Sequence, residues 1–192
     1  MVADVIDELA GLRPDSVLDK LRDGRDQARR EAQASYVALF EPQDDGGFDR
    51  NGRHAAAAFV ALLHRQDEIA AHYAAPLGTE LRNVVRDAAA EAAATGPYGA
   101  YPPGVLSRED QTGPVYHVSP AHRAALGDKL AAGFEHAHML VFHPRDATPA
   151  ALQRLLDAGW SNTGIVTLSQ LVAFLAFQIR AIVGLKVLAA HG

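Results

Sequence analysis

Residues 162–190 read NTGIVTLSQLVAFLAFQIRAIVGLKVLAA, a segment whose apolar side chains cover more than one face of a helix. Such a helix either forms the core of a domain or lies in an interface between subunits. No Pro interrupts the segment. The sequence therefore predicts one long, buried helix at the C-terminal end of the chain.

Residues 158–179 carry no charge, which raises the question of a membrane span. Nine polar or Gly residues interrupt this stretch, and its continuous apolar part is residues 171–177. A spanning helix needs ~20 predominantly apolar residues. The N-terminal residues MVADVIDE also lack the basic segment and apolar core of a signal peptide. We therefore expect a soluble, cytoplasmic protein with no membrane partner.

Arg180 follows FLAFQI and precedes AIVGL on the predicted C-terminal helix. A guanidinium on a buried helix must be paired, because an isolated buried charge is very costly. We expect Arg180 to pair with a carboxylate of a neighbouring helix. The functional alternative is an anion anchor at the end of a pocket.

The composition predicts an all-α fold in a single domain. Of the 192 residues 37 are Ala, the strongest helix former, and no alternating run typical of strands occurs. The net charge of −5, with scattered basic residues, argues against nucleic-acid binding. Cysteine is absent, so this chain has no disulfide, no thiolate metal ligand and no thiol redox chemistry.

Turn and capping signals divide the chain into four parts: N-terminal helices over residues 1–47, further helices over 48–95, a loop over 96–118 and C-terminal helices over 119–192. Helices are predicted over residues 2–10, 14–24, 26–40, 51–64, from 67, from 79, over 119–142, 148–159 and 162–190. The helix over 51–64 is apolar nearly all round and should be central.

The loop over residues 96–118 holds four Pro and four Gly residues. A loop this long inside a compact domain is either functional or disordered. Because the rings of Tyr98, Tyr101 and Tyr116 are costly to leave in water, we expect the loop to be packed. The alternative is a plain surface connection.

Nine histidines make metal binding worth testing. His136, His138 and His143 do not have the spacing of a helical zinc site. His64, Glu68 and His72 have it, at i, i+4 and i+8, but RQDE at residues 65–68 resembles the first turn of a new helix. We therefore expect no metal and no cofactor, and histidines that are exposed or hydrogen-bonded.

Two segments resemble a known superfamily. Residues 48–64, FDRNGRHAAAAFVALLH, resemble the helix before the active site of carboxymuconolactone decarboxylase and alkylhydroperoxidase D-like proteins. Residues 152–180, LQRLLDAGWSNTGIVTLSQLVAFLAFQIR, resemble the closing helices of the peroxidase-related branch. The resemblance implies an alkylhydroperoxidase D-like helical bundle that assembles with itself, as a dimer, trimer or hexamer.

Redox members of this superfamily use a Glu, a Cys-x-x-Cys pair and a His four residues further on. Placed without gaps on this chain, the Glu position falls on His54 and the Cys positions on Gln66 and Ile69. The His position falls on Tyr73, next to His72. Dithiol peroxidase chemistry is therefore excluded for a chain without cysteine.

Three functional hypotheses follow from the resemblance. The first is a Cys-less member with a small-molecule pocket and an unknown ligand. The second is a cofactor-free decarboxylase or isomerase for a small carboxylate or lactone, with His72, Tyr73 and His54 as catalytic groups and Gln66 and Arg180 as ligand-binding groups. The third is a non-catalytic helical oligomer that acts as a binding module.

Overall fold

The computed structural model describes residues 4–191, and most of these are helical. The predicted start of the first helix at Val2 lies outside the described residues; Asp4 caps this helix at Val5. The α-helices are α1 (Val5–Ala10), α2 (Val17–Asp23), α3 (Asp26–Phe40), α4 (Arg50–Leu63), α5 (Asp67–Ala74), α6 (Thr79–Glu91), α7 (Pro120–Phe142), α8 (Pro149–Asp157) and α9 (Asn162–His191).

The all-α prediction is confirmed. Residues 4–191 contain no β-strand, and one isolated bridge joins Gly99 and Gln111 across the loop. Two short 3₁₀ helices, Val105–Glu109 and Pro144–Asp146, complete the described structure.

Helix α4 lies at the centre of the bundle, as its sequence predicts. It packs against α5, α6, α7 and α9, and Ala55–Ala58 are almost completely buried. Alanine methyl groups allow neighbouring helices to approach closely, and larger rings fill the remaining space. Phe59 of α4 stacks on Phe134 of α7 with their ring centroids 4.2 Å apart.

The chain leaves α4 through a sharp turn before α5. His64 ends α4, and Arg65 has a left-handed backbone with φ 58°. The next helix begins at Asp67, so the helical register between His64 and His72 is broken, as the acidic first turn predicts.

Helix α9 differs from the prediction of a buried helix. One face, with Leu168, Leu171 and Leu175, is completely buried against the bundle. The opposite face leaves Val166 and Phe177 more than half exposed. By length and composition alone α9 could cross a membrane, and a third of its most apolar 18-residue window is buried. Helix α9 is therefore a half-buried helix that packs on α1, α4 and α7.

Helix α7 also differs from the prediction of one continuous helix. Ser119 caps it and Pro120 occupies its first turn, as expected. At Gly127, however, the backbone has φ 75° and ψ 156°, which splits the helix into two parts. This conformation is essentially restricted to glycine.

The loop over residues 96–118 is packed, as its tyrosines predict. Tyr98 and Tyr116 are buried, and Tyr98 Oη donates to the carbonyl oxygen of Pro114 at 2.7 Å. Tyr101 is half-buried beneath the guanidinium of Arg145, which lies 4.1 Å from its ring centroid. The tyrosines therefore anchor the loop at the end of α7, while most of its other residues are exposed.

The break at Gly127 predicts that alanine substitutions at two glycines change the stability of the protein in opposite directions. A Cβ has open space at both Gly127 and Gly184, so sterics do not distinguish them. We expect Gly127→Ala to lower the free energy of unfolding by about 1–3 kcal/mol, because alanine is strained at this backbone conformation. Gly184→Ala, inside α9, should raise it by about 0.5–1 kcal/mol. Urea unfolding measures both, and equal effects would contradict the glycine-specific conformation.

Candidate functional site

Three of the predicted site residues lie close together in the core. The ring nitrogen Nδ1 of His54 is 3.1 Å from the carbonyl oxygen of Tyr73. Tyr73 Oη donates to Oε1 of Gln178 on α9, and Tyr36 Oη lies 3.2 Å from Nε2 of His72. We call these five side chains the core polar cluster. The cluster ties α3, α4, α5 and α9 together.

The core polar cluster consists of packed side chains, and Nε2 of His54 is buried without a hydrogen-bond partner in residues 4–191. Tyr73 is completely buried, and burial raises the pKa of its hydroxyl. Burial also lowers the pKa values of His54 and His72. None of these three residues borders the cavities of about 290, 520, 590 and 710 Å³ in the described part of the chain. Their packing gives them a clear structural role.

The other two predicted residues lie apart from the cluster. Gln66 precedes α5, and its amide donates to the carbonyl oxygen of His64. The expectation that Arg180 is buried and paired with a carboxylate is wrong: its side chain is exposed and donates to Ala176 of its own helix at 2.6 Å. The reason is that Arg180 lies on the open face of α9. Together with His64 it borders an open groove of about 590 Å³.

The three residues considered as an alternative metal site also lie apart from one another. His64 ends α4, Glu68 forms an ion pair with Lys186 of α9, and His72 contacts Tyr36. Within residues 4–191 no three metal-ligating side chains are grouped around a common point. The donors at i, i+4 and i+8 therefore face different partners.

A second group of titratable residues surrounds a cavity that the sequence did not assign. This cavity, of about 290 Å³, lies between the loop over residues 96–118, the end of α7 and helix α8; we call it the histidine pocket. Its polar lining residues are His117, Glu135, His136, His143, Asp146 and Arg154. Its apolar wall includes Ala132, Met139, Ala151 and Leu155.

The buried His143 pairs with the partly exposed Asp146 at this pocket. His143 Nδ1 is 3.0 Å from Oδ2 of Asp146, and the His143 ring stacks on Tyr98 at 4.9 Å. Asp146 Oδ1 also accepts from the backbone N–H of Ala100 at 2.9 Å. When Nδ1–H donates to a carboxylate, the neutral imidazole keeps its lone pair on Nε2. Nε2 of His143 is buried and has no hydrogen-bond partner in residues 4–191.

His136 lines the pocket from α7, and His138 is buried two residues further along the same helix. His138 forms a hydrogen bond with the backbone of Ala92, while its Nδ1 has no partner among the described residues. Burial and the charge of Arg154 lower the pKa of His136. Burial and His143, 5.6 Å away between ring centroids, lower the pKa of His138 to about 4.

A larger cleft of about 710 Å³ lies beside the break in α7, and its lysine and tryptophan are already engaged. Lys129 Nζ donates to the carbonyl oxygen of Gly47 and lies over the ring of Trp160. The rings of Trp160 and Phe48 are buried. The histidine pocket is therefore a better candidate than this cleft, because it holds a buried titratable group whose nitrogen is unpaired.

The sequence contains a pattern that indicates this pocket, but the spacing rules for metal ligands do not detect it. Residues 135–143 read EHAHMLVFH, and the packed loop lies seventeen residues earlier, at residues 96–118. His136 and His143 are seven positions apart, which is two turns of a helix. Two turns rise by about 10 Å, too far for both side chains to bind one metal ion. A cavity that holds an organic molecule can be lined by both.

Comparison with known proteins gives no assignment. No family model, no curated protein and no solved structure matches the chain.

The low pKa of His138 predicts a loss of stability in acid. Its pKa in the folded state, about 4, lies below the ordinary 6.5, so the unfolded chain binds the proton first as the pH falls. The contribution of neutral His138 to the free energy of unfolding is complete above pH 6.5 and is lost progressively towards pH 4. Between pH 7 and pH 4.5 the His138 site should cost about 2–3 kcal/mol of unfolding free energy.

His138→Gln should flatten this pH dependence, measured by urea unfolding at several pH values. His117→Gln is the matched control, because His117 is largely exposed. Equal pH slopes for the wild type and His138→Gln would show that His138 does not titrate below its ordinary range.

Proposed function

We propose that this chain is a Cys-less member of the carboxymuconolactone decarboxylase and alkylhydroperoxidase D-like superfamily, with a small-molecule pocket and no dithiol peroxidase chemistry. The all-α fold and the absence of cysteine are compatible with this proposal. Its ligand site is the histidine pocket. The observation that carries the assignment is His143, fixed through Nδ1 by Asp146, with its buried Nε2 unpaired.

An imidazole in this arrangement can accept a proton on Nε2 and return it, while the carboxylate of Asp146 stabilises the charged form. This chemistry suits a cofactor-free decarboxylase or isomerase, in which a small carboxylate or lactone passes through an enolate-type intermediate. In this proposal His143 takes the acid–base role first predicted for His54, His72 and Tyr73. Those three residues hold the bundle together around the core polar cluster.

A second candidate function is a helical homo-oligomer, and the open face of α9 favours it. Exposed residues on α9 recur in alternating steps of four and three; they are Val166, Gln170, Ala173, Phe177, Arg180, Gly184, Val187 and His191. An average spacing of 3.5 residues is the period of a seam between two packed helices. We propose that a second copy of the chain covers this stripe and that the assembly is soluble and cytoplasmic.

The ligand-site proposal predicts that filling the histidine pocket abolishes binding. In a thermal-shift screen of small carboxylic acids and lactones, we expect compounds that stabilise the wild type but not Ala132→Phe, because the added ring occupies the cavity. Ala125→Phe is the matched control on the same helix, since Ala125 borders the other cleft. Bound compounds should also shift the side-chain ¹⁵N signals of His143.

Stabilisation that persists in Ala132→Phe, or that disappears in His72→Ala while His143→Gln retains it, would contradict this site. The first result would place the ligand elsewhere. The second would return the acid–base role to the core polar cluster.

The oligomer proposal predicts that a charge in the α9 stripe dissociates the assembly. Phe177 is 51% exposed in the single chain, so Phe177→Glu is tolerated by the monomer but buries a carboxylate in the interface. Light scattering after gel filtration should give an oligomer for the wild type and a monomer for the variant. Leu152→Glu, at an exposed leucine of α8, is the control and should leave the mass unchanged. A monomeric wild type, or one that binds neutral liposomes, would contradict this proposal.

A further inference from the structure

Two carboxylates and one guanidinium border the histidine pocket. Its two carboxylates are engaged: Arg123 donates to Glu135 at 2.6 Å, and His143 and the N–H of Ala100 hold Asp146. Val118 N–H also donates to Glu135, at 3.0 Å. Arg154 is the one Arg or Lys that borders the pocket, and it has no salt bridge to a described residue. The guanidinium of Arg154 is exposed and is therefore available to an anion at the pocket.

His136 supplies a second polar group beside this charge. It is 7% exposed, lines the same cavity and lies close enough to Arg154 to feel its charge. Because burial and Arg154 both disfavour protonation, His136 is neutral at pH 7. A neutral imidazole carries one N–H, which can donate to an anion without adding a second charge.

The remaining wall is apolar, with Met139, Ala151 and Leu155 facing the same cavity. Ala151 and Leu155 lie on α8 with Arg154, so this helix contributes both the cation and part of the apolar surface. A pocket with one cation, one neutral donor and an apolar wall matches a ligand with one anionic end and a compact hydrocarbon body. A dianion fits less well, because the carboxylates of Glu135 and Asp146 border the cavity.

We propose that the histidine pocket selects a compact monocarboxylate, bound through its carboxylate to Arg154 with His136 as the second hydrogen-bond donor. This inference rests on the proposed function of the pocket and adds the ligand class and the residue that selects it. Arg forms two parallel hydrogen bonds with a carboxylate, which gives orientation as well as affinity. The body of the acid then lies in the cavity that His143 also borders.

Benzoate and its neutral analogue benzamide test the inference by calorimetric or NMR titration. We expect benzoate to bind more tightly than benzamide, phthalate or phenyl phosphate. Arg154→Gln should weaken benzoate binding about tenfold, which corresponds to about 1.4 kcal/mol, and change benzamide binding less than about twofold. Arg154→Lys should restore part of the benzoate affinity, because it restores the charge but not the paired geometry.

Arg86→Gln is the matched control, since Arg86 is exposed on α6 and its one salt bridge is to the adjacent Asp87. The inference is overturned if Arg154→Gln and Arg86→Gln bind benzoate equally, if benzamide or a dianion binds the wild type as tightly as benzoate, or if benzoate does not bind at millimolar concentration.

The titrations distinguish an error in the inferred ligand class from an error in the proposed ligand site. If benzamide shifts the His136 and His143 ring signals as strongly as benzoate does, and Ala132→Phe abolishes both effects, the pocket stands and the carboxylate selection is wrong. If probes bind without shifting either ring signal and Ala132→Phe has no effect, the proposed function is wrong as well.

Discussion

The close approach of four helices to α4 is the constraint on which the rest of the structure depends. Ala55–Ala58 present methyl groups where larger side chains would separate the helices, and burying this surface favours the folded state. Because α4 occupies the centre, α5, α6, α7 and α9 surround it. The polar side chains that enter this core must then find partners there. Tyr73 and Gln178 do so by bonding to each other.

The histidine pocket exists because the packing around α4 does not extend to the end of α7. There the chain leaves the helix at His143, and the loop over residues 96–118 covers the remaining space. Tyr98 fixes this cover by stacking on His143 and by donating to Pro114. A loop held in this way places the buried Tyr116 and the exposed His117 at the cavity, opposite residues of α7 and α8.

Much of the helical layout could be predicted, because local signals determine where helices begin and end. Ser119 with Pro120, and Thr148 with Pro149, begin α7 and α8 as predicted, and the alanine run identified α4 as the central helix. Two features of the layout could not be predicted. The break at Gly127 depends on a backbone conformation that glycine permits but does not require. The exposure of Arg180 depends on which face of α9 the bundle covers.

The candidate site was predicted less well, for a related physical reason. His54, His72 and Tyr73 do meet in space, but they border none of the four cavities found among residues 4–191. His143 acquires its significance from Asp146, which follows the helix, and from Tyr98, which lies more than forty residues earlier in the chain. Spacing along one helix cannot show either contact.

The sequence by itself determined the helical class, the central position of α4, the packing of the long loop and the exclusion of thiol chemistry. Each of these follows from composition or from short-range capping and burial preferences. The tertiary structure alone decided which histidines border a cavity, which cation lacks a partner and which face of α9 is open. Those properties depend on contacts between segments far apart in the chain, and no local pattern of residues specifies them.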